Sequence, residues 1–274
     1  MTSDDTAQRK VLLERLAASD TATLKRLVAL IDDARESPAD SGSGYLSYLR
    51  AVAESDVRGL RNAEKSYGNS WKRRGGVDTF NMLARKWDRV EKRLATSIEA
   101  RGSRPGASPY DIFEHISVDP KSEGLIDDVR DLRRYLMLTE AEIAARRAGH
   151  VEDSGRGYLD QLAAIAEADV ANIEEKERAY ASSWKRRGGI GAFMMLARKF
   201  DRIEQRVSTE IPAAGAAPGA QRHNLFQHIA ADQRAEGLLD DIRDLRRYLI
   251  LVEAELAARG AIEIGTARDD REKS

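Results

Sequence analysis

Apolar side chains recur along the chain at three- and four-residue intervals, and no segment sustains an alternation of apolar and polar positions. Between Asp78 and Ile98 the apolar positions fall on one face of a helix. They are Phe80, Leu83, Trp87, Val90, Leu94 and Ile98. The same spacing recurs from about Tyr45 to Ser66 and from Leu125 to Leu136. The pattern predicts an all-α protein.

The chain contains the same unit twice. The motif WKRRGG begins at Trp71 and again at Trp184, an offset of 113 residues. At this offset the run from His115 to Leu136 aligns without a gap with the run from His228 to Leu249. Because each copy is as long as a small domain, we expect two homologous helical bundles rather than a solenoid.

The spacing of loop-forming residues sets the predicted boundaries. We place an N-terminal helical segment at residues 1–40, which includes a helical pair around Val11 to Arg35, and a loose tail at 266–274. The two units occupy residues 41–148 and 153–262. Near-identical units are expected to pack as a pseudo-twofold dimer, because fusion raises their effective concentration and fixes their pairing.

Composition narrows the classes of function. The chain has 274 residues, with 45 Lys and Arg against 46 Asp and Glu, and this balance argues against a protein that mainly coats nucleic acid. The count of zero cysteines excludes disulfides, thiolate zinc sites and cysteine nucleophiles. With no long apolar run and no signal-peptide pattern at the start, we expect a cytoplasmic protein without a membrane partner.

Carboxylates gather along one border of the helix that follows Glu123, and two more lie on the preceding helix. If the two helices pack antiparallel, these oxygens could converge on Mg²⁺ or Mn²⁺, with the nearby Lys86, Arg89 and Arg93 pointing elsewhere. The candidate ligands are Asp88, Glu91, Asp127, Asp128 and Asp131, and in the second unit Asp201, Glu204, Asp240, Asp241 and Asp244. The alternative is a solvated helix whose carboxylates pair with arginines.

The WKRRGG motif is the second candidate, because it joins cationic side chains to a flexible turn before a helix. Backbone N–H groups at a helix start and bidentate arginines both suit phosphate. The candidate phosphate ligands are Lys72, Arg73 and Arg74, and in the second unit Lys185, Arg186 and Arg187. Trp71 and Trp184 are interpreted as base-stacking surfaces or as core anchors. The alternative is a solvated basic turn.

Three segments together resemble a known family. The succession KSYGNSW, ARKWDR and EGLIDDVRDLRRY, which starts at Lys65, Ala84 and Glu123, resembles a helical domain of phages and bacteria called nucleotide modification associated. That domain resembles in turn the all-α NTP pyrophosphatases, the MazG and dimeric dUTPase group. In this group an EExxE motif and a later ExxD motif bind Mg²⁺, which positions an NTP for attack by water between the α and β phosphates.

The resemblance implies roles for particular positions. Asp128-x-x-Asp131 and Asp241-x-x-Asp244 take the place of ExxD. The chain has no EExxE, and the nearest substitutes are Asp88-x-x-Glu91 and Asp201-x-x-Glu204. The resemblance assigns no further catalytic residue.

Three functions follow as hypotheses. The leading one is a Mg²⁺-dependent nucleotide-binding protein, extended to (d)NTP pyrophosphatase-like hydrolysis linked to nucleotide metabolism or modification. The second is a non-catalytic helical scaffold or adaptor in which the same charges form interdomain salt bridges. The third is nucleic-acid binding through the WKRRGG loops and the strip of Lys86, Arg89 and Arg93. The expected assembly is a monomer with an internal pseudo-dimer or a higher homo-oligomer.

Overall fold

The computed structural model describes residues 42–102, 104–119, 124–180 and 183–265. In this part of the chain the secondary structure is helical, with isolated β-bridges and no strand. The prediction of an all-α protein is therefore confirmed. The predicted N-terminal helical segment at 1–40 and the tail at 266–274 lie outside the described residues.

Each unit contributes four α-helices in the described part of the chain. The first unit contains α1 (Gly42–Tyr67), α2 (Gly75–Leu94), α3 (Ile112–Val118) and α4 (Leu125–Gly149). The second unit contains α5 (Leu162–Tyr180), α6 (Gly188–Val207), α7 (Leu225–Ala231) and α8 (Leu238–Ala258). Short 3₁₀ turns, Ser70–Lys72 and Ser183–Lys185, lead into α2 and α6.

Helices α4 and α8 lie at the centre of the molecule. They pack against each other, while α2 packs on α4 and α6 packs on α8. Helices α1 and α5 pack together, and α1 also contacts α8. In α4 every residue from Leu136 to Ile143 is buried, so this helix is covered on all its faces.

The predicted apolar face of α2 is confirmed as far as Leu94, since its five apolar side chains are at most 3% exposed. The helix ends there because Tyr110 N–H donates to Leu94 O at 2.7 Å, which takes the carbonyl that a longer helix would use. Ile98 was predicted on the helix, but it pairs with Ala107 in a short antiparallel bridge. The second unit has the equivalent bridge between Ile211 and Ala220.

None of the helices described above combines the length and the apolar character needed to cross a bilayer.

Candidate functional site: charged helix borders and WKRRGG turns

The border of α4 that carries the candidate ligands faces a basic row of α2. Lys86 Nζ lies 2.6 Å from Asp131 Oδ2 and 3.4 Å from Asp128 Oδ1. Arg89 Nε is 3.2 Å from Asp128 Oδ1, and Arg93 Nη1 is 3.7 Å from Asp128 Oδ2. The Asp128 residue is only 2% exposed. Three cations from the neighbouring helix therefore surround this buried carboxylate.

The second unit repeats the arrangement. Lys199 Nζ lies 2.8 Å from Asp244 Oδ2 and 3.4 Å from Asp241 Oδ1. Arg202 Nε is 3.3 Å from Asp241 Oδ1, and Arg206 Nη1 is 2.8 Å from Asp241 Oδ2. The carboxylates of α4 and α8 are thus offset by side chains of the protein itself.

The other predicted ligands lie on the far flank of the long helix. Asp88, Glu91, Asp201 and Glu204 are exposed, because on a helix these positions fall on the opposite side of the apolar stripe from the basic row. The predicted convergence of acidic side chains from both helices is therefore not found. The expectation that the basic row points elsewhere is wrong, since it is the row that meets the acidic border.

Across residues 42–102, 104–119, 124–180 and 183–265, no group of three or more His, Cys, Asp or Glu side chains is arranged to hold a metal ion. The expected Mg²⁺ or Mn²⁺ stays a prediction that this geometry does not support.

Two further predicted ligands cap helices. The Asp127 carboxylate accepts the Gly124 N–H at 2.9 Å, and the Asp240 carboxylate accepts the Gly237 N–H at 2.9 Å. An acidic side chain in the first turn satisfies a backbone donor and opposes the positive end of the helix dipole. This local role accounts for both residues.

The protonation of these borders follows from the ion pairs. Burial works to raise the pKa of Asp244, but Lys199 and Lys176 outweigh it and hold that pKa below its ordinary value. Burial raises the pKa of Tyr248, and the Asp244 charge raises it further. Tyr135 is affected in the same way in the first unit. The Asp244 carboxylate is thus kept ionised by its cationic neighbours.

The tryptophans of the WKRRGG turns are core anchors. Trp71 and Trp184 are 5% and 6% exposed. Trp71 meets Phe226 of the second unit edge to face at 6.3 Å, and Trp184 meets Phe113 of the first unit at 6.1 Å. Base stacking, the other interpretation of these rings, would need an accessible face, which such burial does not leave.

The lysines of the two turns also have structural partners. Lys72 is 3% exposed, and its Nζ lies 2.6 Å from both Glu142 Oε2 and Asp153 Oδ1. Lys185 Nζ lies 2.8 Å from Glu255 Oε2. Burial works to raise the pKa of Glu142, but hydrogen bonds, led by that from Lys72, lower it. The structure therefore places these lysines in ion pairs rather than in the predicted phosphate clamp.

The glycines of the turns are required by backbone geometry. The first glycine of each pair has a positive φ, 69° and 65°, a region that disfavours residues with a Cβ. A Cβ on Gly76 would overlap the backbone N of Phe226, and a Cβ on Gly189 would overlap that of Phe113. The start of α2 therefore approaches the second unit closely, and the start of α6 approaches the first.

The arginines are the remaining part of the motif. Arg73, Arg74, Arg186 and Arg187 are all exposed. Arg74 Nη1 lies 3.3 Å from Asp78 Oδ1 in the next turn of α2. The second unit has glycine at the equivalent position, so it lacks this pair. Of the predicted phosphate ligands, the arginines are those that face solvent.

A buried arginine at the centre of the molecule was not predicted. Arg133 is 1% exposed, and its Nη2 donates to Asp56 Oδ1 at 2.8 Å. Its Nη1 lies 2.6 Å from Glu253 Oε2 of the second unit, which also pairs with Arg130 Nε at 2.8 Å. Burial works to lower the pKa of Arg133, but Asp56 and Glu253 outweigh it and raise that pKa.

The second unit holds the equivalent arginine in the equivalent place. Arg246 is 1% exposed, and its Nη2 donates to Asp169 Oδ1 at 2.9 Å and to Glu140 Oε2 at 2.6 Å. Glu140 belongs to the first unit and also accepts from Arg243 Nε at 2.7 Å. One sequence signal could have found the glutamates of these pairs, because apolar residues from Leu136 to Ile143 surround the helix and Glu140 lies among them. Charges in such a helix must be buried and paired.

Comparison of the chain with protein-family models, with curated proteins and with solved structures found no match.

Proposed function

We propose that this protein is a non-catalytic helical scaffold, built from two copies of one unit that pack as a fused dimer about an approximate twofold axis. The observation that carries the proposal is the reciprocal pairing of buried charges between the units. Arg133 of the first unit pairs with Glu253 of the second, and Arg246 of the second pairs with Glu140 of the first. Arg246 lies 113 positions after Arg133, and Glu253 lies 113 positions after Glu140, so the two pairs are equivalent.

Reciprocity is the property that distinguishes a twofold interface from a head-to-tail one. In a twofold dimer, if residue i contacts residue j of the partner, then j of the first copy contacts i of the second. Arg130 with Glu253 and Arg243 with Glu140 obey this rule. The two tryptophan and phenylalanine contacts and the two close glycine approaches obey it as well. These contacts support an internal pseudo-dimer.

The charge distribution supports a structural rather than a catalytic role. A metal ion bound at Asp128 would have to displace Lys86, Arg89 and Arg93 from that carboxylate, although Lys86 would keep Asp131 and Arg93 would keep Asp119. While these three cations lie within 3.7 Å of the Asp128 oxygens, their charges repel a further cation. The nucleotide hypothesis stays a prediction, and the scaffold hypothesis accounts for the contacts of these acidic residues.

An activity assay separates the two hypotheses. The protein is incubated with a panel of NTPs and dNTPs and with Mg²⁺ or Mn²⁺, and phosphate and pyrophosphate release are measured beside a reference NTP pyrophosphatase. We expect no release above the protein-free blank, and no heat of Mg²⁺ binding by calorimetry.

The double variant Asp131→Asn with Asp244→Asn supplies the decisive control. Release that occurs in the native protein and disappears in this variant, with the circular dichroism spectrum retained, would overturn the scaffold proposal in favour of a metal-dependent hydrolase.

A further inference from the structure

Two exposed surfaces carry the arginines of the WKRRGG motifs. We define the first corner as Tyr67, Arg73 and Arg74, and the second corner as Tyr180, Arg186 and Arg187. Tyr67 and Tyr180 are each 67% exposed, and they end α1 and α5. We propose that these corners bind single-stranded nucleic acid, with arginines on the phosphates and the tyrosine ring against a base.

Packing explains every position of WKRRGG except the arginines. The tryptophan lies in the core, the lysine is ion-paired, and the two glycines are required by φ and by close approach to the other unit. The exposed arginines take no part in this packing and are left to face solvent. Within the described residues, Arg73, Arg186 and Arg187 form no ion pair.

Hydrogen bonds order the backbone of the first corner. Gly68 N–H donates to Glu64 O at 2.8 Å, which closes the end of α1. Lys72 N–H donates to Asn69 O at 3.2 Å, and Arg73 N–H donates to Ser70 O at 3.4 Å. These bonds tie Tyr67 and the arginines to one short turn, which is itself anchored by the buried tryptophan. Because the backbone is already ordered, binding restricts mainly the exposed side chains.

The side chains of the corners suit the phosphates and bases of a single strand. Guanidinium groups bind phosphate oxygens bidentately, and exposed aromatic rings stack on unpaired bases with little dependence on sequence. A duplex hides the faces of its bases, so a tyrosine ring favours a single strand. The chain as a whole has a net charge of -1, so binding must come from the corners and not from a general positive charge.

The two corners differ in the charges around them. The last turns of α1 carry Arg61 and Lys65 against Glu64, two positive charges against one negative, near the first corner. The last turns of α5 carry Glu174, Glu175 and Glu177 against Lys176 and Arg178, three negative charges against two positive, near the second corner. Phosphate is attracted by the former and repelled by the latter. The first corner should therefore bind more tightly than the second.

The corners also lie far apart. Arg50 near the start of α1 pairs at 3.0 Å with Glu174 in the second half of α5, and Glu64 near the end of α1 pairs at 2.7 Å with Arg156 just before α5, so the two helices run antiparallel. Tyr67 lies 17 residues after Arg50 and Tyr180 lies six residues after Glu174 in the opposite direction, so at 1.5 Å per residue the two tyrosines are about 35 Å apart. Only a strand that spans this distance can occupy both corners, and such a strand should bind more tightly than a short one.

The test uses the full chain and labelled single-stranded DNA of mixed sequence, followed by fluorescence anisotropy over a range of salt concentrations. Arg73→Ala with Arg74→Ala should weaken binding at least tenfold. It should also lower the slope of log affinity against log salt by about 1.4, since each single-strand phosphate contact contributes about 0.7. Arg186→Ala with Arg187→Ala should weaken binding less.

Two further variants distinguish a corner from general attraction. Tyr67→Ala should weaken binding about fivefold or more without changing the salt slope, because stacking is not ionic. Arg85→Ala with Arg198→Ala removes two exposed arginines of α2 and α6, outside the corners, and should leave affinity nearly unchanged. Circular dichroism of each variant checks that the fold is retained.

The proposal is overturned if the native protein does not bind at low salt, or if the Arg85 and Arg198 control loses as much affinity as the first-corner variant. It is also overturned if duplex DNA or an acidic peptide competes as well as the single strand does, since the surface would then recognise charge alone. The result does not depend on the scaffold proposal, because failure of binding would leave the hydrolysis assay and its outcome unchanged.

Discussion

Replacement of Arg133 by alanine should destabilise the protein more than replacement of an exposed arginine. The Arg133 side chain is 1% exposed and pairs with Asp56 in its own unit and with Glu253 in the other. Its removal leaves Asp56 with Arg134 at 3.3 Å and leaves Glu253 with Arg130 at 2.8 Å. Both carboxylates are at most 1% exposed, so bulk solvent does not screen the charges that Arg133 compensates.

The magnitude follows from the cost of an incompletely compensated buried charge. Removing one partner of a buried ion pair lowers the free energy of unfolding by about 3–5 kcal/mol. For a protein of this length, that corresponds to a fall in melting temperature of roughly 10 °C. Arg50→Ala removes a pair in which the arginine side chain is 66% exposed. Such exposed pairs contribute at most about 1 kcal/mol.

Reciprocity makes the prediction sharper, because Arg246 has the equivalent set of partners. Arg246→Ala should cost the same as Arg133→Ala to within about 2 kcal/mol, the width of the range for broken buried pairs. A double-mutant cycle of Arg133→Met and Glu253→Gln should give a coupling energy of about 1–3 kcal/mol between the units.

The assay is urea unfolding at neutral pH, followed by far-ultraviolet circular dichroism, with Arg50→Ala as the matched control. A loss for Arg133→Ala no larger than for Arg50→Ala would refute the argument that the central charges are buried and paired. A large loss for Arg133→Ala without one for Arg246→Ala would refute the reciprocal arrangement.

Two other perturbations address the ion pairs and the close glycines. Thermal stability should fall as the pH drops below about 4.5. Burial works to raise the pKa values of Glu142 and Glu253, but their cationic partners lower them. The stabilisation from these ion pairs is present above the unfolded-state pKa, and it is lost as the pH falls through the folded-state pKa. Melting temperatures that rise on acidification would contradict this. Gly76→Ala or Gly189→Ala should each cost about 1–3 kcal/mol by urea unfolding, because the added methyl overlaps backbone of the other unit. Gly157→Ala, where the nearest atom is 3.6 Å away, should be nearly neutral, and an equal loss there would count against the close approach.

The helical faces could be predicted from the sequence because burial follows the 3.6-residue period. The face of α2 from Phe80 to Leu94 is buried as expected. The end of this helix could not be predicted in the same way. It depends on a hydrogen bond from Tyr110, sixteen residues further along the chain, and only the folded chain brings that donor to Leu94.

The partners of the border charges could not be derived from spacing alone. Asp128 and Asp131 were correctly placed at the edge of an apolar face, but the apolar stripe of α2 has a basic flank and an acidic flank. Which flank meets α4 depends on how the second helix is rotated about its axis. In the structure the basic flank of α2 faces the acidic border of α4, which is the electrostatically favourable orientation.

The segments that are most alike in the two units include those through which the units contact each other. DLRRYL holds the arginine that pairs with a glutamate of the other unit, and WKRRGG holds the tryptophan and glycine that touch the other unit. The connectors at 101–109 and 212–220 are mostly exposed, and they differ in sequence between the copies. In a reciprocal interface each such position makes its contact twice, which is a physical reason for two copies to remain alike there. Arg73 and Arg186 make no such contact in the described part of the chain, and the proposed binding of phosphate gives them a role that their chemistry favours.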